Sequence, residues 1–102
     1  MIGIRILITR YISDDPQPGI VECELIDAAG VKHYFTEKTA IVTKDFINAD
    51  SDYPREGIIA CEIVNQEFGP DVIEVGTERP WYVESTEGLT RFRVNPALVG
   101  EW

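Results

Sequence analysis

The chain has 102 residues, of which 44% are apolar, and this composition fits one globular domain with a single core. Eighteen Asp and Glu residues against nine Lys and Arg give a formal net charge of −9, which opposes binding to the phosphates of nucleic acids and to an anionic membrane surface. The apolar runs are far shorter than the roughly 20 residues of a membrane span, and the opening residues lack the features of a signal peptide, so we expect a cytoplasmic protein.

Period-two alternation predicts strands at the start of the chain. Every second residue from Ile2 to Ile8 is isoleucine, which predicts a half-buried strand that continues to about Ile12. Residues 14–19 have the composition of a turn. Residues 20–27 alternate again and predict a second strand.

The next segments predict a hairpin and a short helical turn. Residues 31–37 are rich in β-branched and aromatic side chains and follow a short loop at 27–30, so they should pair with the second strand. Thr43 is a residue type that caps helices, and we expect it to begin a helical turn over residues 45–47.

The second half of the chain contains further short strands. A turn-forming segment over residues 51–57 precedes a predicted strand over 58–65. Three more strands are predicted over 72–75, 81–84 and 89–94, and Asn95 before Pro96 is typical of the start of a short helix. Six or seven short strands with little helix predict an all-β fold, a small barrel or sandwich forming one domain over residues 1–102.

The sequence also contains an internal repeat. Residues 13–27 align without a gap with residues 51–65, at an offset of 38, and seven of the fifteen aligned residues are identical: Ser, Asp, Pro, Gly, Ile, Cys and Glu. Turn and strand chemistry favours some of these residue types by itself. We interpret the match as an internal duplication, with repeat units near residues 13–38 and 51–76 that need each other to bury their apolar faces.

The residues that could hold a metal ion are few. Cys23 and Cys61 are too few for a disulfide framework and too far apart in sequence for a zinc knuckle, so both are predicted to be buried, reduced thiols. Residues 48–52 look like the opening of a calcium-binding loop, but Tyr53 stands in place of the required glycine and Ile59 in place of the bidentate carboxylate. The sequence therefore predicts neither a metal nor a cofactor.

No group of residues has the signature of a catalytic site. His33 is the only histidine and lies on a predicted strand, where a structural role is expected. Glu22 and Glu24 share a strand face about 7 Å apart by strand rise, but a domain of this size offers little cleft for a sugar ring. We expect no enzyme activity, and a small enzyme that uses Glu22, Glu24 or His33 is an alternative.

The acidic charge favours a small protein-binding module. Such a domain could inhibit or neutralise a partner with a basic surface, as nuclease-immunity proteins do, and this analogy is one of charge and size only. The protein could instead be a structural subunit of a homo-oligomer, or a carbohydrate-binding domain that uses Trp81 or Tyr82. The negative net charge could also serve solubility alone. The candidate partner-binding residues are Asp14, Asp15, Asp50, Asp52, Tyr53, Glu22, Glu24, Glu62 and Trp81.

Overall fold

The structure, a computed structural model, describes every residue from Met1 to Trp102. Strands make up 46% of the residues and helix 7%, which confirms the prediction of a mostly β chain, although the eight strands exceed the six or seven predicted. The strands are β1 (Ile2–Ser13), β2 (Ile20–Ile26), β3 (Lys32–Lys38), β4 (Arg55–Ala60), β5 (Glu62–Asn65), β6 (Ile73–Gly76), β7 (Arg91–Val94) and β8 (Val99–Glu101). The helical segments are α1 (Thr39–Val42) and a 3₁₀ turn (Pro96–Leu98). None of the helices has the length and apolar character needed to cross a bilayer.

Strand β1 is the central element of a five-stranded antiparallel sheet. The order is β3-β2-β1-β4, and β8 also pairs with β1. Residues Gly3 to Ile8 of β1 pair with β4 along one edge. The opposite edge pairs with β8 near the start of β1 and with β2 from Leu7 to Ser13. β1 is therefore long enough for three strands, β2, β4 and β8, to pair with it.

A second antiparallel sheet has the order β5-β6-β7 and follows the first sheet at Cys61. Because β4 ends at Ala60 and β5 begins at Glu62, the prediction of one continuous strand over residues 58–65 is wrong. The Cys61 N–H donates to the carbonyl of Ile2 (3.0 Å) at the point where the chain changes sheets. The two ladders are separate, and neither closes into a barrel.

One apolar core contacts both sheets. In β2 the side chains of Val21, Cys23 and Leu25 are buried, as the alternation of that segment predicts. Phe35 of β3 meets Phe92 of β7 edge to face, with 5.6 Å between the ring centroids. Since one aromatic residue comes from each sheet, the two sheets bury a shared core.

Both cysteines belong to this core and carry free thiols, which confirms their predicted state. Burial, reinforced by the charges of nearby glutamates, raises the pKa of the Cys23 thiol to about 12. Burial likewise raises the pKa of Cys61 to about 11. The thiolate, which is the reactive form, is therefore disfavoured at both positions.

The short helix lies earlier than predicted. α1 ends at Val42, and the Thr43 hydroxyl accepts a hydrogen bond from the N–H of Asp45 (3.0 Å) in a bend that follows the helix. The prediction of a helical turn over residues 45–47 is wrong, because the threonine hydroxyl closes this local bend instead of capping a helix start. Asn95 does cap the 3₁₀ turn as predicted, and its side chain accepts a backbone N–H two residues on (2.9 Å).

Residues 81–84 form no strand, so the prediction of a strand there is wrong: a turn over residues 79–81 is followed by irregular backbone. The N–H of Tyr82 donates to the carbonyl of Glu78 (3.0 Å), and the N–H of Val83 donates to that of Thr77 (2.8 Å). A strand would have buried either Trp81 or Tyr82, but both are exposed, at 40% and 61%, while Val83 is buried. This segment therefore presents two neighbouring aromatic side chains to solvent.

Gly19 lies where the loop between β1 and β2 passes the Tyr11 ring. Its φ is +122°, and a Cβ at this position would overlap the Tyr11 hydroxyl. We predict that Gly19→Ala lowers the free energy of unfolding by about 2–3 kcal/mol. Gly30→Ala is the control, because Gly30 also has a positive φ (+83°) but has open space around it, and its loss should be about 1 kcal/mol. Denaturant unfolding measures both losses, and equal values would contradict the predicted clash.

Candidate binding surface

Two loops lie at the same end of the five-stranded sheet. Strands β2 and β4 both run antiparallel to β1, on its two sides, so both begin toward the end of β1. Ser13 of β1 pairs with Ile20, the first residue of β2, and Ile8 pairs with Arg55, the first residue of β4. The loop before β2 and the loop before β4 therefore flank the final part of β1.

These two loops carry the four aspartates that the sequence singles out, and we call this group the acidic end (Asp14, Asp15, Asp50 and Asp52). All four side chains are exposed, and none forms an ion pair. One Asp14 carboxylate oxygen accepts a hydrogen bond from the Tyr11 hydroxyl (2.9 Å). The structure thus places four unpaired negative charges in the two loops that flank β1 between Ile8 and Ser13.

Two tyrosines lie at the base of these loops. Tyr53 is half-buried, packs against the core and donates its hydroxyl hydrogen to the carbonyl of Asn48 (2.7 Å). Tyr11 also packs against the core, and its pKa is raised by partial burial, by the hydrogen bond and charge of Asp14, and by the proximity of Tyr53. The predicted anchor Tyr53 is therefore held in a fixed position beside the acidic end.

The strand glutamates of the first repeat are compensated locally. Glu22 accepts hydrogen bonds from the Thr9 hydroxyl (2.9 Å) and from the Arg10 guanidinium (3.3 Å), and these two bonds lower the pKa of its carboxyl against the opposing effect of burial. Glu24 lies 3.8 Å from the ammonium group of Lys32. Both glutamates are half-buried on the outer face of the sheet, so they contribute less external field than the loop aspartates.

Glu62 and Trp81, the two remaining candidates, lie on other elements of the chain. Glu62 is on β5 in the second sheet, where it lines a groove of about 150 Å³ together with Glu78, Arg79 and Arg91. Trp81 packs edge to face against Trp102, with ring centroids 5.3 Å apart. The candidate residues therefore form one cluster in the two loops and several separate surfaces elsewhere.

The environment of His33 was missed by the sequence analysis. Its Nε2 lies 2.8 Å from a carboxylate oxygen of Asp27, and its ring meets Phe92 edge to face (5.1 Å between centroids). The residues of this pair face each other across the hairpin turn, six positions apart, and help to line a cavity of about 480 Å³. The rest of the cavity lining is apolar apart from Arg91 and Arg93.

Relatives with an established function would help to interpret these surfaces. Comparisons with protein-family models, with curated proteins and with solved structures find no match.

Proposed function

We propose that the protein is a small acidic binding module that recognises a basic protein surface through its acidic end. The observation that carries the proposal is the position of four exposed aspartates, none of them ion-paired, in two loops that flank the end of β1. Grouped charges of one sign speed the encounter with a surface of opposite sign, and they also repel partners of the same sign. The net charge of −9 adds to that field and makes nucleic acids poor partners.

Affinity also requires a contact that loses its water on binding. Tyr53 suits this role, since aromatic residues often provide the central anchors of interfaces and its hydroxyl is already held by the carbonyl of Asn48. Glu22 and Glu24 would contribute at the margin, because each already has a cationic neighbour. Inhibition or neutralisation of a basic protein is the biological role that this arrangement supports, and self-association through the sheets is the alternative.

The proposal is tested by the rate of association with the basic partner, isolated from the native source. Stopped-flow measurements would compare the wild type with a variant in which Asp14, Asp15, Asp50 and Asp52 are all changed to asparagine. We expect the loop variant to associate about tenfold more slowly at low ionic strength, and we expect this difference to shrink as salt screens the charges.

A matched control has the same net charge in a different place. It changes four exposed acidic residues that form no ion pair and lie outside the two loops, as Glu67→Gln, Asp71→Asn, Glu84→Gln and Glu87→Gln. We expect its association rate to fall by less than about threefold. Equal effects of the two variants would remove the acidic end from the proposal, and a partner that proves to be a second copy of this chain would support the alternative.

We further propose that the two sheets pack as a sandwich and that the repeat reflects a duplicated unit. The shared core, with Phe35 and Phe92 in contact between the sheets, supports the first statement. The burial of both repeat cysteines in that core and the position of the two repeat loops at one end of β1 support the second. The second unit differs in that its strand is divided at Cys61.

A further inference from the structure

Two tryptophans from distant parts of the chain form an aromatic corner. Trp81, on the turn after β6, and Trp102, after β8, have ring planes 86° apart. The Trp102 ring is fixed by a hydrogen bond from its Nε1–H to the carbonyl of Ile41 (3.2 Å). Trp102 is half-buried and Trp81 is 40% exposed, so the corner is rigid at its base and open to solvent.

A cation already occupies the face of one of these rings. The ammonium nitrogen of Lys44 lies 5.2 Å from the centroid of the Trp102 ring, within the range of a cation–π interaction. Lys44 is exposed and forms no ion pair. Because the lysine side chain is flexible and its head group is in water, another cation could take its place over the ring.

A groove of about 320 Å³ opens beside Trp102. Its lining includes three acidic residues, Asp45, Glu56 and Glu101. Asp45 is paired with Arg55 (3.3 Å) and Glu101 with the N-terminal ammonium (3.3 Å), whereas Glu56 has no ion-pair partner. The other cation of the lining besides Lys44 is Arg5, whose guanidinium donates to the carbonyl of Ala97. Acidic side chains around an aromatic wall attract a positively charged group and repel an anion.

We infer that this groove is a binding site for an organic cation, an alkylammonium or guanidinium group that stacks on Trp102 in place of Lys44. The carboxylate of Glu56, which has no ion-pair partner, would compensate its charge, and Trp81 would support the Trp102 ring from outside the groove. The site is independent of the proposed function, because none of the four aspartates of the acidic end lines the groove. The cation could be a free small molecule or the side chain of a basic protein.

The test compares choline with 3,3-dimethylbutan-1-ol, which has the same shape but no charge. Binding is followed by NMR on the indole N–H signals of Trp81 and Trp102. We expect choline to bind about 3- to 30-fold more tightly than the neutral alcohol, since cation–π contacts are worth this ratio. A parallel titration with N-acetyl-lysine methylamide distinguishes the two sources of the cation, because tighter binding than choline indicates a protein side chain and weaker binding indicates a free ligand.

Substitution of Lys44 is the most direct test, because this side chain is exposed and forms no ion pair. We expect Lys44→Met to strengthen choline binding by about 2- to 5-fold, because it removes the internal competitor. Lys38→Met is the control for net charge, as Lys38 is exposed and lies outside the groove, and it should change the affinity less.

One carboxylate substitution tests the groove lining, and a second one elsewhere is its control. Glu56→Gln should weaken choline binding by about 2- to 5-fold, and Glu87→Gln, which removes an exposed charge elsewhere, should not. Equal affinity for choline and the alcohol, or equal effects of Lys44→Met and Lys38→Met, would overturn the inference. Equal binding of both ligands would instead point to an apolar or carbohydrate-type site on the tryptophans.

Discussion

We expect Phe35→Ala to lower the free energy of unfolding by about 3–5 kcal/mol, a large part of the total stability of a domain of this size. Phe35 is fully buried on β3, and its ring packs against Phe92 of the second sheet. Truncation would remove this contact and leave a cavity between the two sheets. Because each kcal/mol corresponds to about 4–8 °C for a domain of this length, the melting temperature should fall by at least about 12 °C.

The control is the same substitution at an exposed phenylalanine. Phe46 is 86% exposed, so Phe46→Ala should change the free energy of unfolding by no more than about 0.5 kcal/mol. Urea denaturation followed by tryptophan fluorescence measures both variants. A loss at Phe35 no larger than the loss at Phe46 would show that the two sheets do not share one cooperative core.

The first half of the fold could be predicted because each strand there buries one face. Alternation in β1 and β2 follows directly from this burial, and the short loop at 27–30 allowed only a hairpin between β2 and β3. The registers of the pairs depend on contacts between distant residues and were outside the reach of the pattern. The sequence therefore predicted these strands and the β2–β3 hairpin, whereas the pairing of β1 with β2, β4 and β8 came from the structure.

The second half of the fold was harder to predict, because the strand-like sequence pattern continues where the chain passes from one sheet to the other. Apolar and branched residues run through Cys61 without a turn-forming residue, so the sequence gave no sign that the chain leaves one sheet for the other. The aromatic and branched residues at 81–84 suggested a strand, but backbone hydrogen bonds to Thr77 and Glu78 hold a turn. Strand propensity reflects packing on a sheet, and this segment pairs with no strand.

The candidate surfaces also differ in how far the sequence could predict them. Exposure of the four loop aspartates followed from their turn composition, and their common location followed once β2 and β4 were known to flank β1. The contact between Trp81 and Trp102 joins two segments with no shared pattern in sequence, so it could be found only in the structure. Local sequence thus predicted the exposed charges of the loops, whereas the aromatic corner could be identified only from the folded structure.

We expect substitution of Asp27 to have the second-largest effect, because one carboxylate holds the β2–β3 turn together. One oxygen accepts hydrogen bonds from the N–H groups of Ala29 and Val31 (both 2.9 Å), and the other lies 2.8 Å from Nε2 of His33. Asp27→Ala should lower the free energy of unfolding by about 2–4 kcal/mol at neutral pH. Asp27→Asn keeps an acceptor for the two N–H groups, so it should cost about half as much.

The stabilisation by Asp27 should depend on pH in a defined direction. Burial favours the protonated carboxyl, but the hydrogen bonds from His33, Val31 and Ala29 outweigh it and hold the pKa of Asp27 below its ordinary value. A carboxyl whose pKa is lower in the folded than in the unfolded state stabilises the fold above the unfolded pKa, and this contribution is lost as the pH falls through the folded pKa. The difference in stability between wild type and Asp27→Asn should therefore shrink as the pH is lowered from about 5 to about 3.

Urea denaturation at a series of pH values within this range measures that difference. Asp71→Asn is the control, because Asp71 is exposed and forms neither a side-chain hydrogen bond nor an ion pair, so its effect should stay near zero throughout. A constant difference between wild type and Asp27→Asn would mean that the carboxylate charge does not stabilise the turn. In that case the hydrogen-bonding geometry of Asp27, which asparagine largely preserves, would account for its role, and the neighbouring His33 would act through packing on Phe92 alone.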